Sequence, residues 1–172
     1  ACPAKWATPG GLIACTACTT GEVTVNGGAA CQKCAPGLHA RTVDRLDCEP
    51  CAIGWVAAFG SDNCTQCSAG KVANGDQSAC DACGSGTYED ANTCKPCPDG
   101  EVASVGADGC TPCSTGEAAN GDQSACDACA PGTHAKSDRT SCESCSTGWV
   151  AGYGNDACTQ CGAGEFVNPD KS

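Results

Sequence analysis

Large apolar residues are scarce in this chain, and methionine is absent altogether. Leucine, isoleucine, valine and phenylalanine together number only 16 of the 172 residues, and aromatics make up 4%. With a formal net charge of −11, such a chain buries too little apolar surface to offset its conformational entropy. Without crosslinks it is expected to be disordered. No stretch approaches the roughly 20 apolar residues that a membrane-crossing helix requires. Cations are few as well, nine Lys and Arg against 20 Asp and Glu, and they are spread along the chain. Binding to nucleic-acid phosphates needs basic clusters, so no nucleic acid is expected as a partner. The acidity reads as a solvated surface.

Cysteine is what the chain has in excess, with 21 residues. Twenty of them form ten Cys-x-x-Cys pairs at a nearly constant period: Cys15/Cys18, Cys31/Cys34, Cys48/Cys51, Cys64/Cys67, Cys80/Cys83, Cys94/Cys97, Cys110/Cys113, Cys126/Cys129, Cys142/Cys145 and Cys158/Cys161. Cys2 stands 13 residues before Cys15, the usual gap between pairs, as though it were the second half of an earlier pair. The array is therefore expected to continue beyond both ends of these residues. Fixed-period repetition of this kind decides the architecture before any single element does. The expected fold is a small disulfide-rich repeat: an elongated rod or solenoid of tandem single-disulfide modules, with short β-strands and turns and little helix.

Within each module the same punctuation recurs. Three residues after the second cysteine stands glycine, as at Gly21, Gly37, Gly54, Gly70, Gly86, Gly100, Gly116, Gly132, Gly148 and Gly164. Glycine at one fixed offset points to a positive φ or a close approach of two chains. Two residues later a β-favouring type is common (Val23, His39, Val56, Val72, Tyr88), and a turn signal such as Asn74-Gly75 or Asn120-Gly121 follows. Each module thus reads as strand, turn and return.

Two disulfide schemes suit this shape. One joins the second cysteine of a pair to the first of the next: Cys2–Cys15, Cys18–Cys31, Cys34–Cys48, Cys51–Cys64, Cys67–Cys80, Cys83–Cys94, Cys97–Cys110, Cys113–Cys126, Cys129–Cys142 and Cys145–Cys158, with Cys161 left over. The other bonds within each Cys-x-x-Cys, as in thiol oxidoreductases, and leaves the loops unclosed. Spacing leaves both schemes open. The loop-closing ladder is the expectation because only it supports the chain, at about 3 kcal/mol per loop in the simplest model.

A longer period is superposed on the first. Residues 1–172 read as about eleven 16-residue modules grouped in threes, at intervals of 46–49 residues. Trp6, Trp55 and Trp149 share one module type, with Glu101 in the remaining copy; His39, Tyr88 and His134 share another. The indoles either stack over a disulfide or form a contact row for lateral assembly or glycan binding. The two histidines, isolated from one another, read as strand-face residues.

Cys-x-x-Cys-x-x-Gly followed by a β-type or aromatic residue resembles the ephrin-receptor-type cysteine-rich repeat, most closely at Cys34-Ala-Pro-Gly37 and Cys129-Ala-Pro-Gly132. The single-bridge submodule of tumour-necrosis-factor-receptor domains is similar, as are long arrays in surface proteins of protists and algae. The resemblance implies an elongated extracellular rod with the loop-closing pairing, and it implies no catalysis. The alternating multi-bridge modules that build receptor ligand sites are missing here.

Paired Cys-x-x-Cys units are also a zinc-tetrathiolate spacing, but zinc modules pair off two by two and would alternate their linkers. The gaps here do not alternate, so no metal or cofactor is expected. No catalytic triad or carboxylate pair can be assembled, and no enzyme is expected. Asp76, Asp122 and Asp170 sit in turns without calcium-loop spacing. Asn63-Cys64-Thr65 is the conventional glycosylation sequon, which makes Asn63 a possible glycan site. The sequence thus points to a structural, non-enzymatic part of an extracellular or cell-surface filament, coat or stalk. Self-assembly, or continuation of the same array, is its expected partnership. A ligand-binding or adhesion ectodomain is the alternative, and a multi-site zinc-thiolate protein a third.

Overall fold

The computed structural model describes residues 6–8, 15–41 and 44–165. Among these, twenty short strands form ten antiparallel hairpins, each a separate two-stranded sheet, and there is no helix. Two compact units divide the chain, residues 1–81 and 82–172.

One hairpin shows how a module is built. Thr19-Thr20-Gly21-Glu22 turns the chain after Cys18: the Glu22 amide donates to the Thr19 carbonyl across Gly21, whose φ is 71°. A turn with positive φ at its third residue is of type II, and proline suits its second position. Ala35-Pro36-Gly37 and Ala130-Pro131-Gly132 meet that preference, with the same closing bond from Leu38 and Thr133. Glu22–Val25 then pairs with Ala30–Lys33, placing Thr24 opposite Cys31. Leu38–Ala40 pairs with Cys48–Pro50, and Thr133–Ala135 with Cys142–Ser144, in the same manner. In most hairpins the amide of the closing cysteine donates back to the turn glycine, as Cys34 to Gly21 and Cys129 to Gly116.

Among the described residues, sulfur closes the hairpin loops from Cys18 onward. Nine disulfides run from Cys18–Cys31 to Cys145–Cys158, each joining the second cysteine of one pair to the first of the next across 11 to 14 residues. Burial within the bridges is asymmetric. Cys34, Cys83, Cys113 and Cys129 are fully buried, whereas their partners Cys48, Cys94, Cys126 and Cys142 are only partly covered or exposed. Together with Ala7, Ala40, Ala57, Ala103, Ala118, Ala135 and Ala151, the buried cysteines make up most of the core. Small side chains fill it because the backbones lie too close for larger ones.

That closeness comes from hydrogen bonds between consecutive modules. Ala57 donates its amide to the Gln77 carbonyl while its own carbonyl accepts from Gly37. In the second unit Ala103 does the same between Gly86 and Gln123. Gly60, Gly106 and Gly154 donate to the carbonyls of Cys34, Cys83 and Cys129. The acceptor carbonyls of Arg45, Gln77, Gln123 and Arg139 belong to residues held at φ between 52° and 56°, a conformation costly for L-residues. Their side chains offset that cost. Gln77 Nε2 reaches back to the Ala52 carbonyl at 3.2 Å and Gln123 Nε2 to Pro98 at 3.2 Å. Arg45 donates to Thr19 at 2.6 Å and Arg139 to Cys113.

The acidic turns are capped locally rather than solvated only. Asp76 Oδ1 accepts from the Ser78 hydroxyl at 2.6 Å and its amide at 3.1 Å, and Asp122 repeats this with Ser124. Those bonds hold both carboxyls below the ordinary aspartate range. Asp170 lies outside the described residues. Because the folded values are depressed, the turns' contribution is present above the unfolded pKa and is lost as pH falls through the folded one. An NMR titration should place Asp76 and Asp122 below random-coil aspartate, and Ser78→Ala should move Asp76 back toward it.

Candidate functional site

His134 lies on the strand Thr133–Ala135, opposite Glu143 on the returning strand. Its ring packs on the next module's bridge, with Nδ1 3.2 Å from Cys158 Sγ. His39 repeats the contact at 3.2 Å from Cys64 Sγ. In each copy the imidazole and both sulfurs lie within 4.8 Å of one another. Cys51–Cys64 and Cys145–Cys158 are disulfides, so the sulfurs here are not thiolate ligands as they stand. The histidines are strand residues covering a bridge, and the imidazole acts as part of its wrapping.

Around His134 the second unit opens a groove of about 830 Å³. Lys136, Asp138, Glu143, Trp149 and Asp156 line it with the Cys145–Cys158 bridge. Trp149 begins the strand Trp149–Val150, and its indole is 38% exposed. Trp55 and Trp6 are exposed to 37% and 42%, so all three indoles, neither core nor fully free, keep a surface available for contact. Phe59 and Tyr153, four residues after Trp55 and Trp149, are more exposed still, at 65% and 73%. Lys33 Nζ sits 6.0 Å from the Phe59 ring centroid.

Asn63 is exposed, between Asp62 and the bridged Cys64. Cys15 is disulfide-bonded, and Cys161 is the free cysteine among the described residues. Cys2, and with it the Cys2–Cys15 pairing, lies outside them. The groove's Glu143 and Asp156 escape a reading for motifs because isolated carboxylates are ordinary surface residues. A usable signal does exist, since Cys-Glu-x-Cys, Trp-Val-Ala and Asp-x-Cys-Thr-Gln-Cys recur together at residues 48–67 and 142–161. Among the described residues, no helix is long and apolar enough to cross a membrane. No protein-family model and no curated protein matches the chain.

Proposed function

We propose that this chain is a non-enzymatic structural element of an extracellular filament, coat or stalk. The carrying observation is the continuous ladder, in which each bridged loop also hydrogen-bonds to an adjacent module in the same unit. A fold so crosslinked belongs in an oxidising compartment, since cytosolic thiol buffers would reduce it. Stability built from neighbouring modules is additive along the array, as in other repeat proteins, and suits spacing and persistence. The resemblance to ephrin-receptor-type repeats supports the same placement.

Intact mass of the natural material under denaturing, non-reducing conditions, with and without an alkylating reagent, tests this reading. The cysteines of the nine bridges should take up no label, and the mass should be two hydrogens lighter per bridge. Added hexose steps would extend the reading to a glycan coat that includes Asn63. Labelling of most cysteines would overturn it in favour of a thiolate metal protein.

A further inference from the structure

Two copies of one constellation occupy different electrostatic states. In the first unit, Arg41 Nε lies 3.3 Å from Glu49 Oε1 and Arg45 Nη2 lies 3.3 Å from Asp62 Oδ2. Asp62 accepts the Gly21 amide as well. In the second unit Glu143 and Asp156 stand at the matching places, one residue after Cys142 and two before Cys158. There Lys136 replaces Arg41, and Arg139, the counterpart of Arg45, gives its guanidinium to the Cys113 carbonyl. Neither Glu143 nor Asp156 has an ion-pair partner among the described residues. Both face the groove that also holds Trp149.

We propose that this groove receives an arginine or lysine side chain of a basic polypeptide, with Glu143 and Asp156 accepting its N–H groups and Trp149 covering its face. The first unit shows what these carboxylates take, since polypeptide guanidinium groups already pair with both. Three carboxylates against the single Lys136 ammonium leave the lining net negative, which excludes anions and favours a cation. A planar guanidinium meets carboxylates through paired N–H donors and stacks on indole, so it satisfies both kinds of wall at once. Because the groove is open, binding is modest and weakens with salt.

The test titrates the oxidised, isotope-labelled chain with an oligo-arginine peptide at low ionic strength, using oligo-glutamine as the neutral control. Saturating shifts should appear at the Trp149 indole and around Glu143 and Asp156, at lower peptide concentration than any response at Trp55. The double variant Glu143→Gln/Asp156→Asn should raise Kd at Trp149 about tenfold, with hairpin amide shifts elsewhere unchanged. Glu49→Gln/Asp62→Asn, which removes carboxylates already paired, should leave that Kd where it was. Equal responses at Trp55 and Trp149, an unchanged Kd in the Glu143/Asp156 variant, or equal binding of oligo-glutamine would each overturn the proposal.

Discussion

Pulled from its ends with bridges intact, the chain should yield little length, and each reduction event should then release a step of about 40 Å. The figure follows from geometry. A 13-residue separation such as Cys113–Cys126 spans roughly 45 Å when extended, at about 3.5 Å per residue, less the 5.5 Å between its Cα atoms. The 11-residue Cys83–Cys94 loop should give a shorter step, about 33 Å. Single-molecule force measurements with a phosphine reductant in the bath would read these values directly. Bonding within Cys-x-x-Cys would instead release only a few ångströms per event, because three residues hide almost no contour. In bulk, full reduction should abolish the hairpins. Each bridge contributes about 3 kcal/mol through loop closure, and the remaining core of alanines and scattered valines cannot replace that sum. Loss of amide dispersion in the NMR spectrum on reduction is the expected result; a folded reduced chain would show that the core had been underrated.

Period, glycine offset and β-favouring types were enough to read the module, because each reports a local rule: a type II turn, a strand, a return. The preferred ladder rested on the same locality, since it asks only which sulfurs a short hairpin brings together. Packing between modules was not legible. Nothing in the spacing says that the carbonyl of Gly60 approaches Gly21, or that of Asp76 approaches Gly37, because those contacts depend on how successive hairpins are set. The left-handed residues Arg45, Gln77, Gln123 and Arg139 hide for a related reason. Glycine is the usual occupant of that conformation, and these positions keep a side chain because it binds carbonyls of the preceding module. The indoles illustrate the limit from the other side. Their repeat position was plain, but the half-exposed state of Trp149 depends on the groove beside it, whose walls come from residues over twenty positions apart in sequence.

Replacing Gly116 by alanine should damage the fold far more than the same change at Gly148. The two glycines occupy one offset and share positive φ, 76° and 82°. Either substitution therefore meets the left-handed penalty of about 1–2 kcal/mol. Their surroundings differ. A Cβ on Gly116 would fall 1.7 Å from the Gly154 carbonyl oxygen, whereas one on Gly148 meets nothing within 4 Å. The obstacle at Gly116 is backbone, tied by the Gly154 amide to the Cys129 carbonyl, so it cannot swing aside as a side chain would. Overpacking against such a neighbour adds roughly 1–3 kcal/mol and should separate the two modules at their contact. Since Cys113–Cys126 and Cys145–Cys158 keep the chain from unfolding globally, the loss should appear as local opening. Hydrogen exchange at the Gly154 amide should accelerate about a hundredfold in Gly116→Ala, against no change at that amide in Gly148→Ala. Equal exchange in the two variants would mean that the contact between modules two apart does not hold them together. The bridges alone would then account for the persistence on which the structural role depends.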